Sequence, residues 1–208
     1  MNKRLKLIAD LITDSFGVID VGTDHGYLPI SLRKNGFIGK LIASDINKEP
    51  LSVARENAFD YGCTDIDFQL SDGLDSCDPN EIDTIVIAGL GGDLICDILD
   101  RAEWTMDSRF HIIAQPMTKA EILRFWLINN GYFIENEYPV NDRGREYSIL
   151  SIRYRGLNQK YSDAELFVGK NPSKGYINKT IRMLSKKPYS PFYETIINDL
   201  RLRTNDIR

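Results

Sequence analysis

The residues with the most chemistry in this sequence are concentrated in one stretch, 18–29, which reads Val-Ile-Asp-Val-Gly-Thr-Asp-His-Gly-Tyr-Leu-Pro. Asp20 lies near the end of an apolar run, Gly22 and Gly26 interrupt it, and a helical pattern starts at Tyr27. Strand, glycine turn and helix is the layout by which a backbone approaches a nucleotide-like ligand at the carboxyl end of a parallel strand. The spacing is Asp-x-Gly-x-x-x-Gly and not Gly-x-Gly-x-x-Gly. Where a phosphate-cradling loop has its middle glycine, this chain has Asp24, followed by His25. A carboxylate there repels a pyrophosphate and suits a ligand that carries positive charge.

S-adenosylmethionine (SAM), with a sulfonium and an amino group, is such a ligand. The competing reading is a tight turn that serves packing alone. Three further places support the ligand. Asp45 ends a second short strand, 25 residues after Asp20, close to the ~20 expected for an acid that holds ribose hydroxyls. Asp72, in Ser-Asp-Gly-Leu, follows a third strand, where it can accept from an exocyclic amine or cap a helix. Gly89-Leu90-Gly91-Gly92 ends a fourth, strongly apolar strand and opens room for a reacting group.

The elements that must position these groups alternate. A helix over 3–15 precedes strands over 16–21, 39–44, 66–70, 81–88 and 110–114, the last ended by Gln115-Pro116. Helices are expected from 27, from 47 or 50 to about 61, over 93–101 and over 117–130, with Ile122, Phe125, Trp126 and Leu127 as the inward residues of the last. Asp93 reads as the cap of its helix. Two strands, 132–138 and 146–154, then form an antiparallel pair around a loop at 141–144. Lys3, Arg4 and Lys6 sit at a helix start, which the helix dipole disfavours; they read either as a site for an external anion or, preferably, as a solvated helix end.

From Gly156 the pattern becomes helical, over 162–168, 173–186 and 191–203. The expected domains are therefore 1–155 and a helical, basic region, 156–208. The 208 residues have a net charge of −4, but residues 1–150 hold 14 Lys+Arg against 25 Asp+Glu, and residues 151–208 hold 12 against 5. A basic tail on an acidic body suits a polyanionic partner, or docks electrostatically on the body itself. No long apolar run predicts a membrane span. The three cysteines, 63, 77 and 96, lack the spacing of a metal motif and read as reduced thiols of a cytoplasmic protein.

The segments Asp-Val-Gly-Thr-Asp-His-Gly-Tyr-Leu-Pro, Ala-Ser-Asp-Ile, Ser-Asp-Gly-Leu, Ile-Ala-Gly-Leu-Gly-Gly and Ala-Gln-Pro-Met resemble those of the bacterial tRNA (adenine-22-N1)-methyltransferase family, over roughly residues 3–155. The resemblance implies an α/β fold, a Rossmann-like class I methyltransferase sheet, mostly parallel with the last strand antiparallel, followed by a small helical extension. It implies SAM as cofactor, tRNA as partner, no metal and no membrane; a monomer is slightly favoured.

Cofactor contacts are then expected from Asp20, Gly22, Asp24, Gly26, Asp45, Ile46, Asp72, Gly73, Ala88 and Gly89. Asp24, His25 and Tyr27 are the candidate catalytic residues, and Leu90, Gly91, Gly92, Gln115 and Pro116 the candidate walls of the base pocket. His25 as a helix cap and Tyr27 as core are the structural alternatives. Competing functions are methyl transfer to another RNA or a small molecule, a nicotinamide oxidoreductase, and a non-catalytic RNA-binding protein that retains the fold.

Overall fold

The computed structural model describes residues 2–206. After a first helix, α1 (Lys3–Leu11), the chain alternates β1 (Gly17–Val21), α2 (Tyr27–Lys34), β2 (Lys40–Asp45), α3 (Lys48–Asp60), β3 (Asp67–Leu70), β4 (Thr84–Gly91), α4 (Gly92–Arg101), β5 (His111–Thr118) and α5 (Ala120–Asn129). A hairpin of β6 (Tyr132–Asp142) and β7 (Arg145–Tyr154) follows, then α6 (Asp163–Val168), α7 (Lys174–Leu184) and α8 (Pro191–Asp206). The sheet order is β3-β2-β1-β4-β5-β7-β6. Strands β1 to β5 pair in parallel, and β7 pairs antiparallel with both β5 and β6. This is the expected mostly parallel Rossmann-like sheet with one antiparallel strand.

Side chains alternate across a strand, and here both sets are apolar because both sheet faces are covered. Ile19, Val21, Ile85, Ile87 and Ile112 pack with Ile95, Ile98 and Leu99 of α4 and with Leu123 and Leu127 of α5. Val18, Leu41, Ala43, Val86 and Ile113 pack with Ile8 of α1, with Leu28, Ile30 and Leu32 of α2, and with Ala58 of α3. Asp20 shares the side of β1 occupied by Val18. Each fully buried Ile or Leu contributes roughly 1.5–3 kcal/mol, so the central strands are the most strongly held part of the chain.

Several boundaries differ from those expected, for identifiable reasons. β4 runs through Gly89-Leu90-Gly91, and β5 runs through Gln115, Pro116 and Thr118, because the two extensions pair with each other: Ala88 opposite Gln115, Leu90 opposite Pro116 and Gly91 opposite Thr118. The register shifts at Leu90, where Gly89 takes φ +87. A bulge of this kind accommodates a proline that cannot donate to the ladder. Helix α5 consequently starts at Ala120 and not at Met117. The expected four-residue loop between β6 and β7 shrinks to a tight turn, because Asp142 pairs with Arg145 and leaves only Arg143 and Gly144, both left-handed at φ 51 and 76.

The α5 face matches the expected one only in part, with Leu127 buried and Trp126 packed against the core as expected. Leu123, Arg124, Leu127 and Ile128 are buried, while Ile122 and Phe125 are exposed. The cause is Arg124. Its Nε donates to Glu137 Oε2 at 2.9 Å, and its Nη1 donates to the carbonyls of Leu166 and Phe167 at 2.9 and 3.2 Å. Glu137 also accepts from the Tyr161 hydroxyl at 3.0 Å and from Ser148 Oγ at 3.3 Å. Gly169 closes over the pair: with φ +85, a Cβ there would lie 2.3 Å from the Glu137 carboxylate.

The three C-terminal helices have their own small core, with Ala164, Val168, Tyr176, Ile177, Leu184, Ile196 and Leu200 buried together. The buried Arg124–Glu137 pair fixes that core to the sheet. Removing one partner of such a pair costs about 3–5 kcal/mol, because the other charge is left buried and unpaired. Glu137→Ala is therefore expected to lower the urea unfolding free energy by that amount. The Arg124→Met/Glu137→Met double variant is expected to recover most of it.

Candidate functional site

A cleft of about 710 Å³ opens at the carboxyl ends of β1 to β4, the side of a doubly wound sheet where ligands are received. The turn after β1 forms its floor. Gly22 N and Thr23 N both donate to Ser44 O at 2.9 Å, which ties the turn to β2. The left-handed backbone at Gly22, φ +72, leaves its α-carbon facing Leu90, whose side chain a Cβ would meet at 3.5 Å. At Gly89 a Cβ would meet nothing within 4 Å, so that wall is open to a ligand.

Three carboxylates stand at successive strand tips. Asp20 is buried, and Thr23 Oγ1 donates to its Oδ2 at 2.7 Å. Burial pushes its pKa up to about 6; the Thr23 hydrogen bond opposes the rise and the nearby Asp45 charge adds to it. Asp45 accepts from Asn47 N at 2.9 Å and from Asn47 Nδ2 at 3.4 Å, both on Oδ1. Asp72 is half-exposed, and its Oδ1 is held by Arg101 Nη2 at 2.9 Å. Ile46, Gly73, Ala88 and Leu90 also line the cleft.

Asp24, His25 and Tyr27 form the lip. Asp24 has a left-handed backbone, φ 54, and a side chain 72% exposed. His25 Nε2 lies 3.6 Å from its carboxylate, and the His25 and Tyr27 rings are 5.5 Å apart and tilted by 43°. Helix α2 is capped by Gly26 with no side-chain bond, so His25 does not act as its cap. Tyr27 is 47% exposed and is not a core residue.

Five expected site residues are absent from the cleft wall. Gly26 is needed for packing: a Cβ would lie 3.0 Å from that of Ala54, so its absence lets α2 start against α3. Gly92 opens α4 beneath Lys119, whose carbonyl a Cβ would meet at 2.2 Å. Gly91 is its N-cap. Asp93, read as that cap, sits in the first turn and pairs with Lys119. Gln115 is fully buried, and Pro116 is buried in the bulged ladder beside it.

The Gln115 Oε1 accepts from Arg4 Nη1 at 2.5 Å. Arg4 itself lines the cleft, lies 4.8 Å above the Tyr147 ring and pairs with Asp142 at 3.4 Å. It is not part of a frayed helix end. The cation at an unfavourable helix start was the signal for it. Thr23, Asn47, Met117 and Arg143 also line the cleft and carried no such signal. Among the described residues no group of three or more His, Cys, Asp or Glu side chains is placed to hold a metal ion, and no helix is long and apolar enough to cross a membrane.

A family model described as a methyltransferase domain matches residues 1–150. The tRNA (adenine(22)-N(1))-methyltransferase of Bacillus subtilis (strain 168) is 29% identical over 170 residues, 81% of this chain and 71% of that protein. The structure of M. capricolum TrmK in complex with S-adenosyl-homocysteine superposes with a TM-score of 0.78 at 29% identity, covering 100% of this chain and 99% of that one. Streptococcus pneumoniae Sp1610 in complex with S-adenosyl-L-methionine gives a TM-score of 0.83 at 27% identity, covering 98% and 97%.

The buried Asp20 carboxyl has a sign that can be measured. Its pKa is raised on folding from 3.8 to about 6, so the folded protein binds a proton that the unfolded chain releases between those values. Its contribution therefore falls as pH rises through that window. Asp20→Asn is expected to be more stable than the parent by about 3 kcal/mol at pH 7 and nearly equal to it at pH 4, as read by denaturant unfolding at the two pH values.

Proposed function

This chain belongs to the methyltransferase domain family, and from that premise we propose that it transfers a methyl group from SAM to N1 of adenine 22 in tRNA. The observation that carries the reading is the glycine-walled cleft ringed by carboxylates at the tips of β1, β2 and β3, with an acidic and aromatic lip. Such a cleft fits SAM, which is cationic at both the sulfur and the amino group, better than it fits a pyrophosphate. Bound SAM supplies an electrophilic methyl carbon on a positively charged sulfur.

In this reading Asp20 sets the negative potential at the cleft floor. The Asp45 Oδ2 oxygen, not engaged by Asn47, accepts from the vicinal ribose hydroxyls. Ile46 lies against the adenine ring, and Asp72 accepts from its exocyclic amine. Gly89, open on its Cβ side, provides the room, with Gly22, Gly73 and Ala88 on the neighbouring wall.

The acceptor N1 lies on the Watson–Crick edge, so the target adenine enters unpaired or flipped out. Tyr27, exposed on the lip, offers it a stacking face, and Leu90 separates it from the turn after β1. The N1 lone pair is free at neutral pH, so no base is required to create the nucleophile. As the N–C bond forms and the S–C bond breaks, positive charge moves onto the adenine. Asp24, with His25 beside it, is placed to stabilise that charge.

The activity is tested by incubating the protein with labelled SAM and an unmodified bacterial tRNA transcript, followed by nucleoside mass spectrometry. N1-methyladenosine is expected from the parent transcript and not from one with guanine at position 22; label at any other nucleoside would overturn the assignment. Asp24→Asn keeps the shape and the left-handed tolerance but removes the charge. It is expected to lower kcat about 10²-fold.

Titration calorimetry reads Asp20. A cationic ligand favours its ionised form and binding then expels a proton, so SAM affinity is expected to fall by up to tenfold per pH unit below about 6 and to be flat above it. In Asp20→Asn the profile should be flat throughout.

A further inference from the structure

A second cavity, about 420 Å³, adjoins the first between the β6–β7 turn and α7. Met117 lines both cavities, and so does the turn itself, Arg143 facing the first and Gly144 and Arg145 the second. Tyr147 stands between them with a cation from each side of the partition: Arg4 lies 4.8 Å and Lys179 5.5 Å from its ring centroid.

The second cavity is lined by Arg145, Lys179 and Arg182 and by a single acid, Glu146. The Glu146 carboxylate is occupied by neutral donors, Asn141 Nδ2 at 2.6 Å and Ser173 Oγ at 3.1 Å. Among the described residues none of the three cations makes an ion pair. Arg153 and Arg155, by contrast, pair with Glu135, and Arg203 with Glu165 and Asp199. Among the described residues Lys187 and Arg201 are unpaired like the cavity cations but line neither cavity.

Lys179 and the start of α7 are held in place against the hairpin, while Arg145 and Arg182 are exposed at the cavity rim. Lys179 Nζ donates to Glu146 O at 2.7 Å and lies 5.2 Å from the Tyr176 ring. Gly175 lets α7 approach, since a Cβ there would fall 2.3 Å from Glu146 Oε1. The Lys179 ammonium is partly desolvated, which lowers its pKa, against the opposing effect of the Glu146 charge.

We propose that this cavity seats a backbone phosphate of the tRNA beside the flipped adenine. The proposal rests on the function given above and locates RNA docking at the seam between the hairpin and α7, next to the donor cleft, and not over the basic tail as a whole. Arginine guanidinium groups and a lysine suit a phosphodiester. Contacts of this kind position the nucleic acid without reading its sequence.

The test compares the parent with Arg145→Ser/Arg182→Ser, with Lys179→Met, which keeps the packing on the two tyrosines, and with a distal control, Lys187→Ser/Arg201→Ser. Each is assayed for tRNA transcript affinity from 50 to 200 mM salt, for SAM affinity and for melting temperature. The groove variants are expected to weaken transcript binding at least tenfold. Their salt slope should flatten by roughly 0.7–0.9 per lost contact, with SAM affinity and melting temperature unchanged. The control is expected to change binding less than twofold.

Parent-like affinity and slope in the groove variants, weaker binding with an unaltered slope, or an equal loss in the control would each overturn the proposal. If the parent methylates no tRNA, it is the function reading that fails. Parent activity with indifferent groove variants removes only the docking site.

Discussion

Parallel pairing of β1 with β2 on one side and β4 on the other is the constraint from which the site follows. It brings the carboxyl ends of the strands to one edge of the sheet, and the residue just past each end faces a common space. Because strand order reverses at β1, the crossovers diverge there and leave that space unfilled. Asp20, Asp45 and Asp72, which are far apart in sequence, become neighbours around the cleft for this reason alone.

Burying Asp20 in the apolar frame of β1 carries a folding cost, reduced by one hydrogen bond from Thr23 and increased by the Asp45 charge. A carboxylate in so unfavourable a setting contributes little to holding the fold and much to the potential felt by a bound cation. The neighbouring Val18 and Val86 are fully apolar and buried, so a leucine-like residue would fit the strand better. The acid is explained by what it faces.

The carboxylates could be read from the sequence because each follows an apolar run, and strand ends are marked by loss of that run. The glycines were harder. A Gly-x-Gly-Gly segment is equally the signature of an opened loop and of a bulged strand, and only the partner decides. Here the partner is Gln115-Pro116, so both segments become ladder, and Gln115 turns inward to Arg4, 111 residues away. Nothing local distinguishes that glutamine from a pocket wall.

Half of the inward face of α5 was legible: Leu127 is buried and Trp126 packs against the core, whereas Ile122 and Phe125 are exposed. Apolar periodicity favoured Ile122 and Phe125, but a buried Arg124 fixes the helix rotation. Its partners, Glu137 and the carbonyls of Leu166 and Phe167, belong to elements whose position the helix pattern does not contain. The hairpin and C-terminal helices were legible as elements; their attachment was not.

The two cavities present opposite electrostatic demands within a short distance. In the proposed function, a cleft that holds a cation must be negative, and a negative cleft repels a polyanion whose base would enter it. Screening does not solve this, since the Debye length is about 8 Å at physiological salt, comparable to the dimensions of the site. Segregation does. Arg4 and Arg143 stand on the rim of the acidic cleft, and Arg145, Lys179 and Arg182 line the basic one. Tyr147, an uncharged ring attractive to cations on its face, lies 4.8 Å from Arg4 and 5.5 Å from Lys179, while Arg4 also pairs with Asp142. The partition between the two cavities therefore carries no charge of its own: the hairpin and α7 meet across the buried ring of Tyr147.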